Sequence, residues 1–463
     1  MFKTYFAYGI GQACDTIPYC MFYTFFIYFL TDNVGLDPMV AGAISLIAVC
    51  WDGITDPVVG YLSDRSKNPK GRRLPWMKTS MVPLAIVVFL LFAPFDLGTG
   101  ALAVAYYVVV AMAFWTLYTT YVIPYMSLGA ELTADYNGRN YIRMFNMICG
   151  GLFMLLCTSG PTVVQTWGTA AGMSVRGAWG VSGAIFGAIA LICGIVAYNM
   201  LKKAPLITPE AGEAEKHESI FAVLKETLSI KPYRRLCIMV FLMFIGYILA
   251  SSASVYLIIY NCSMSGGQQA IYWFVYAIAY ILMVPVGSAI ANKLGKKQSF
   301  MFGTAFTIVC CLILFFVNQW NFTMSMVYVI VTQLGSTCLW TNYLAFAYDC
   351  AEIDEYKNGK RREGSLCAVV SFAQKFGSAL GTYGIGVVLT LTGYDAMIME
   401  QSTTALYGIS GCCTIGIVVS GIIGMIIMAG YPVGKKEYDL IMKAKEDKKA
   451  GRDVDESGFS NCL

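Results

Sequence analysis

Asp52 and Asp56 stand four residues apart in the segment Trp51-Asp52-Gly53-Ile54-Thr55-Asp56-Pro57, with apolar sequence on both sides from Met39 to Tyr61. Residues at that spacing share one face of a helix, and the stretch is long enough to cross a bilayer. A charge at such depth costs at least about 2.5–3.5 kcal/mol, so two of them need a counter-charge or a bound ion. Two carboxylates this close do not both ionise comfortably unless a cation or a shared proton neutralises one. The pair can ligate a hard monovalent cation or bind a proton reversibly, which points to ion-coupled transport. The blander alternative is that the two acids bond each other, or Lys375, only to hold helices together. Lys375 itself lies a dozen residues beyond the basic run at Lys360–Arg362, too deep for easy snorkelling. It is expected to pair across the bundle with Asp52 or Asp56. Asp15 is a further acid in the middle of an apolar segment and poses the same question.

Membrane helices must position these groups. The chain of 463 residues is 57% hydrophobic and 13% charged, about half the charge of an average soluble domain. Twelve apolar crossings are predicted, at 5–30, 38–61, 76–95, 101–126, 142–166, 178–201, 235–261, 269–292, 299–318, 323–347, 366–392 and 405–431. Lipid offers the backbone no hydrogen-bond partners, so spans of this length are helices. Basic residues gather on one side: Arg65, Lys67, Lys70, Arg72 and Arg73, then Arg139 and Arg143, then Lys293, Lys296 and Lys297. Lys357, Lys360, Arg361, Arg362 and the residues from Lys435 onward follow the same pattern. The opposite loops hold Asp32, Asp37, Asp96, Asp395 and Glu400, with Arg176 their single basic residue. The positive-inside rule then places both termini in the cytoplasm, in a multi-pass protein of the cell membrane. The net charge of +4 is topology and leaves no nucleic-acid footprint.

The first apolar stretch begins at the very start, runs too long and lacks a small-residue cleavage site, so no cleavable signal peptide is expected. The 16 cysteines are scattered without metal-ligand spacing and read as small apolar packing residues. His217, the one histidine, falls in a polar segment, which excludes a histidine proton relay in the membrane. With no nucleophile–base pair or metal cluster in the spans, an enzyme is not expected, nor any cofactor or metal beyond the transported ion. The polar segment divides the chain into a six-helix bundle at 1–201, a cytoplasmic linker at 202–234, a second six-helix bundle at 235–431 and a cytoplasmic tail at 432–463. Two such halves suggest the pseudo-twofold architecture of secondary transporters, with substrate held near the midplane between them. The tail, with alternating charge, is expected to be a short solvated helix.

The chain resembles the glycoside–pentoside–hexuronide:cation symporters, a branch of the major facilitator superfamily, over nearly its whole length. The resemblance rests on Tyr8-Gly9, Thr31-Asp32 with Val34-Gly35-Leu36, the Trp51–Pro57 motif, Gly60 to Trp76, Pro124-Tyr125, Ser127-Leu128 and Glu131-Leu132-Thr133. In the second half it rests on Asp349, Glu352, Glu355, Tyr356, Lys357, Gly359, Arg362-Glu363-Gly364, Lys375, Gly377 and Gly381. It implies an all-α membrane protein of twelve transmembrane helices in two pseudo-symmetric halves. It also implies a cation site of Asp52 and Asp56 completed by Thr55 and Thr119, and a substrate site that includes Asp15, Tyr23, Tyr118, Trp340 and Lys375. Pyranose faces stack on flat rings and tyrosine hydroxyls bond sugar hydroxyls, though with 30 Tyr, 27 Phe and 8 Trp most aromatics must be packing or interfacial belt. Asp64, Arg65, Arg72 and Arg73 resemble the facilitator gating motif, with Asp349, Glu352, Glu355 and Arg362 as the counterpart, together a cytoplasmic charge clamp.

Departures from the family's melibiose carrier bear on substrate and ion. Threonine at 55 replaces an asparagine whose carbonyl helps to bind sodium, so protons become an option. Alignment without gaps sets Asp15 on a lysine position and Thr16 on the sugar-gripping aspartate, while many relatives carry an aspartate where Gln12 stands, one turn from Asp15. Val49, Val122 and Met126 replace an arginine, an aspartate and a tryptophan. The expectation is a monomeric symporter in the lipid bilayer, bringing a sugar or glycoside into the cytoplasm with sodium or protons. The rival is a carrier of amphipathic lipids or drugs on the same scaffold.

Overall fold

The computed structural model describes residues 2–64, 66, 68, 72–132, 136–204, 228–358, 363–449, 452, 456 and 458–462. The side chains of residues 64, 130, 131, 136–141, 143, 358, 363–365 and 449 lie outside that description. So do Arg65, Arg362 and most of the expected linker, His217 included.

Helices dominate, and no strand occurs among the described residues. The first rod comprises α1 (Phe2–Gly11) and α2 (Ala13–Met21), followed by π-helical turns at Phe22–Phe26 and Phe29–Asn33. The rest of the first half is α3 (Pro38–Asp64), α4 (Leu74–Leu91), α5 (Ala101–Glu131), α6 (Tyr136–Ala170) and α7 (Val175–Leu201). The second half opens with α8 (Lys231–Tyr256), which runs into a π-helical turn at Leu257–Asn261. Then come α9 (Gly266–Leu294), α10 (Lys296–Val317), α11 (Phe322–Asn358), α12 (Glu363–Leu391) and α13 (Thr403–Ala429). A tail helix, α14 (Lys435–Lys449), ends the run.

Ten of these, α3 to α11 and α13, are long and apolar enough to cross a membrane, so the chain is a multi-pass membrane protein. The two other predicted crossings have physical reasons to differ. The first is broken at Gln12 and by its π turns. The eleventh, α12, carries Gln374, Lys375 and a series of Gly, Ser and Thr that dilute its apolarity.

The halves repeat a local device. Val34 N–H bonds the Phe29 carbonyl and Leu36 N–H the Leu30 carbonyl, each at 3.0 Å. Cys262 N–H to Leu257 and Met264 N–H to Ile258 repeat both bonds at 3.0 Å at the end of α8. A π turn widens a helix where function needs an altered side-chain direction. Here it ends the first rod of each half.

Two seams join the halves: α3 packs along α12, and α6 along α9. The α3–α12 pair is antiparallel, with Gly42 against Tyr383, Asp52 against Lys375 and Gly53 against Phe372. Close approach depends on Gly386, where a Cβ would overlap the Pro38 carbonyl. Without a hydrophobic drive between helices in lipid, such small-residue contacts supply much of the association. The tail helix docks on the end of α11 through buried Ile441 and Ala444, and Phe459 packs its ring edge on Tyr356 at 5.6 Å. The tail is thus a short surface helix, as expected, with one face docked on α11 and the other exposed.

Candidate functional site

The central cluster is assembled across the α3–α12 seam. Asp52 and Asp56 share the α3 face that meets α12 and α5. Lys375 Nζ lies 2.5 Å from Asp52 Oδ2 and also donates to Asp56 Oδ2. Thr119 Oγ1 on α5 lies 2.5 Å from Asp52 Oδ1 and 2.9 Å from Asp56 Oδ1. A hydroxyl carries one proton, so Thr119 donates to one carboxylate at a time and offers a lone pair toward the other. The Asp52 side chain is wholly buried, whereas those of Asp56 and Lys375 keep 22% and 19% exposure, so the cluster has one accessible side. Thr55 sits differently from its expected place. Its hydroxyl donates to the Asp52 carbonyl at 3.1 Å, which holds it off the carboxylates.

Asp15 belongs to a second polar group, reached from the same helix α5. Tyr118 hydroxyl donates to Asp15 Oδ1 at 2.5 Å and Gln12 Nε2 to Asp15 Oδ2 at 2.6 Å. Asn146 on α6 donates to Gln12 Oε1 at 2.6 Å and to the Tyr125 hydroxyl at 2.9 Å. Tyr125 in turn donates to the Tyr8 carbonyl at 2.6 Å. Asn146 is the residue that sequence reasoning missed. Its only signal was an amide three residues past Arg143, in a helix that also carries Thr158, Ser159, Thr162 and Gln165.

Tyr118 and Thr119 are consecutive, so one turn of α5 holds Asp15 on one side and the Asp52–Asp56 pair on the other. Tyr23 is buried beside this turn, its ring 4.6 Å from Tyr19 and 5.7 Å from Trp115. Trp340 lies in the second half among Phe244, Tyr247 and Tyr343, with ring centroids 5.0 to 6.0 Å away. No contact among the described residues brings it to Asp15 or to the carboxylate pair.

Three acids of the expected clamp, Asp349, Glu352 and Glu355, have partners from the second half and its tail. Asp349 accepts from Lys296 at 2.6 Å. Glu352 and Glu355 both accept from Lys445 of the tail helix, Glu355 at 2.6 Å. Burial alone lowers the Lys445 ammonium, but the two carboxylates more than offset it and leave it above the ordinary lysine value. Arg73 is buried at the start of α4 and Arg72 half-buried beside it. Arg65, Arg362 and the Asp64 side chain lie outside the described residues.

At the opposite end of the bundle a different clasp ties the halves together. Asp32, inside the π turn Phe29–Asn33, accepts from Tyr260 in the π turn that follows α8 and from Tyr394 at 2.5 Å. Thr31 and Tyr256 hydroxyls lie 2.7 Å apart, and Met39 N–H donates to Thr390 at 3.2 Å. Gly393, with φ of +71°, makes the turn that delivers Tyr394. Charge-assisted hydrogen bonds of this kind are about twice as strong as neutral ones.

A sequence profile described as MFS/sugar transport protein matches residues 7–435. The chain is 26% identical to the uncharacterized symporter YnaJ of Bacillus subtilis, over 95% of this chain and 94% of that protein. It is 23% identical to the glucuronide carrier protein homolog of Escherichia coli, over 96% of each. Among solved structures, a D-xylose-proton symporter superposes with a TM-score of 0.63 at 15% identity, covering 91% of this chain and 97% of that one. That likeness concerns the fold, the major facilitator arrangement of two helical halves.

Proposed function

The chain belongs to the MFS/sugar transport protein family, which makes it a transporter and not an enzyme, and from that premise we propose that it moves a sugar or glycoside together with sodium or a proton. The observation that carries the reading is the pairing of two sites on one turn of α5. Thr119 touches the acids suited to a cation, and its neighbour Tyr118 touches the acid suited to sugar hydroxyls.

Lys375 makes the two sites interdependent. With its ammonium on both carboxylates, Lys375 offsets one of their two charges without an ion and leaves the second to a cation or a proton. A cation entering between Asp52, Asp56 and Thr119 competes with that ammonium for the carboxylate oxygens and frees it toward another acceptor on the accessible side. A proton acts likewise by discharging one acid. Filling the cation site thus changes the charge and shape of the cavity beside Asp15. By linkage the sugar must raise cation affinity by the same factor that the cation raises sugar affinity. Tyr23 and Trp340 would supply ring faces to the sugar in a state that brings the halves closer around it. Thr55 donates its proton to the Asp52 carbonyl and keeps its oxygen lone pairs, which a cation bound at the pair can use.

In this reading the end that carries both chain termini faces the cytoplasm, the Asp32 clasp closes the outer entrance, and the lysine-paired site is the state left after cation and sugar depart inward. Breaking the clasp and re-forming charge pairs at the cytoplasmic end would reverse access. The test is uptake by proteoliposomes of a panel of glycosides, pentosides and uronates under a sodium gradient or a proton gradient. We expect accumulation driven by one of the gradients, and its loss in Asp52→Asn with Asp56→Asn while passive exchange down a gradient persists. Accumulation that survives both substitutions would refute the assignment of the cation site.

A further inference from the structure

The polar group around Asp15 runs in one hydrogen-bonding direction, and residues outside the expected sugar site set that direction. The Tyr125 hydroxyl lies 2.6 Å from the Tyr8 carbonyl, which can only accept, so its one proton goes there. Tyr125 is wholly buried and its ring stacks on Tyr8 with centroids 4.5 Å apart, which fixes the hydroxyl in place. Gly11 makes room for that ring, since a Cβ there would come within 2.8 Å of it. The phenol oxygen keeps acceptor capacity alone, so Asn146 at 2.9 Å must present its NH2 group. That group also donates to Gln12 Oε1 at 2.6 Å. Gln12 is thereby turned with its own NH2 group toward Asp15 Oδ2 at 2.6 Å and Thr16 Oγ1 at 3.3 Å. Gly150, one turn from Asn146 on the same face of α6, lies against the Gln12 stem.

Every side-chain proton from Tyr125 to Gln12 is spent, and the chain ends on a carboxylate. Tyr118 supplies the other oxygen of Asp15 at 2.5 Å. Donors on both oxygens favour the charged form of an acid and leave each oxygen a lone pair for a ligand. With Gln12 flipped, its carbonyl would face Asp15 instead, and two acceptors would need an extra proton between them. Asn146 therefore chooses between an Asp15 that only accepts and one that must hold its own proton. Asn146, Gln12 and Thr16 are half-buried, and Asp15 keeps 8% exposure, so the chain borders accessible space.

We propose that Asn146 is a positioning residue for the sugar: through Gln12 it fixes Asp15 as an acceptor-only carboxylate for sugar hydroxyls. The proposal rests on the sugar reading above and adds the residue that sets the hydrogen-bonding sense of its acid. Charge-assisted bonds from hydroxyls to a carboxylate are about twice as strong as neutral ones, so losing this sense weakens sugar binding while the cavity keeps its shape.

The test is equilibrium dialysis of purified protein with 4-nitrophenyl glycosides of xylose, glucose and galactose, at alkaline and at mildly acid pH. Asn146→Asp keeps the side-chain shape; its ionised carboxylate has no proton for Gln12, and its protonated form regains one. This variant is expected to bind about tenfold or more weakly than the parent at alkaline pH and to approach the parent in acid. Asn146→Leu should stay weak at both. The titratable groups facing the chain are Tyr8 of α1, Cys14, Asp15 and Tyr19 of α2, Tyr118, Tyr121 and Tyr125 of α5, and Lys375 of α12. The parent carries all of them, so comparison at equal pH removes their share. A loss in Asn146→Asp that acid does not relieve, or parent-like affinity in Asn146→Leu, overturns the proposal. If Asn146→Leu does not fold, the acid recovery of Asn146→Asp decides alone. Failure of the underlying reading looks different: the parent then binds none of the glycosides, or Asp15→Asn binds them as the parent does.

Discussion

At the scale of single residues, Lys375 decides how the site behaves. It satisfies two carboxylates at once, and removing one partner of a buried ion pair typically costs about 3–5 kcal/mol. Lys375→Ala leaves Asp52 and Asp56 facing each other across Thr119, a demand that a sodium ion or a proton can meet. The substituted protein is therefore expected to unfold at lower temperature in potassium at alkaline pH, and to recover on addition of sodium or acid far more than the parent does. Thermal unfolding in the two salts at two pH values measures this, and equal salt and pH responses in both proteins would show that the lysine does not stand in for the ion. Much of this cluster was legible in the sequence, because a charge in an apolar helix announces itself. Asn146 was not, since an amide in a membrane helix carries no charge cost and its partners Gln12 and Tyr125 come from other helices. Thr55 shows a second limit: the residue type names a hydroxyl, but not its direction, and here the proton is donated to a backbone carbonyl one turn away.

At the scale of elements, the paired π turns after the first rod and after α8 position the Asp32 clasp. The turns give Asp32 and Tyr260 their directions, and α12 with its Gly393 turn supplies Tyr394. A hydrogen bond to a charged group contributes about 1.5–3 kcal/mol. Tyr260→Phe with Tyr394→Phe should thus speed amide exchange about tenfold or more across 28–36, 256–264 and 388–396, with little change in the helices around Lys375. Hydrogen exchange read by mass spectrometry checks it; unchanged rates at those three segments would remove the clasp as the element that holds this end shut. Thr31-Asp32 was visible beforehand only as part of a family pattern and as a loop acid. Its tyrosine partners lie more than two hundred residues away in the chain, a distance over which side-chain periodicity carries no information. The tail was legible as a short surface helix, but not the contacts on its inner side. Alternating charges read as solvated, yet Lys445 is neutralised by Glu352 and Glu355 once α11 is beside it.

At the scale of the whole molecule, the fold was almost fully readable, because length and apolarity alone dictate helices in lipid. The two exceptions, the broken first rod and the polar α12, are the elements that bear Asp15 and Lys375, so the departures from a plain membrane helix coincide with the candidate site. The proposed symport requires the molecule to couple two ligands through one turn of α5. The direct test is thermal unfolding of the purified protein with a panel of glycosides, in sodium and in potassium, at two pH values. A ligand at about one hundred times its dissociation constant stabilises by about 2.7 kcal/mol. The account predicts that one glycoside stabilises the protein, that its effect grows with sodium or with a change of pH, and that Asp52→Asn with Asp56→Asn removes this dependence while leaving the glycoside's own effect. Stabilisation by a glycoside that is the same in every salt and at both pH values, or stabilisation by lysolipids and hydrophobic drugs with none from any glycoside, would contradict it.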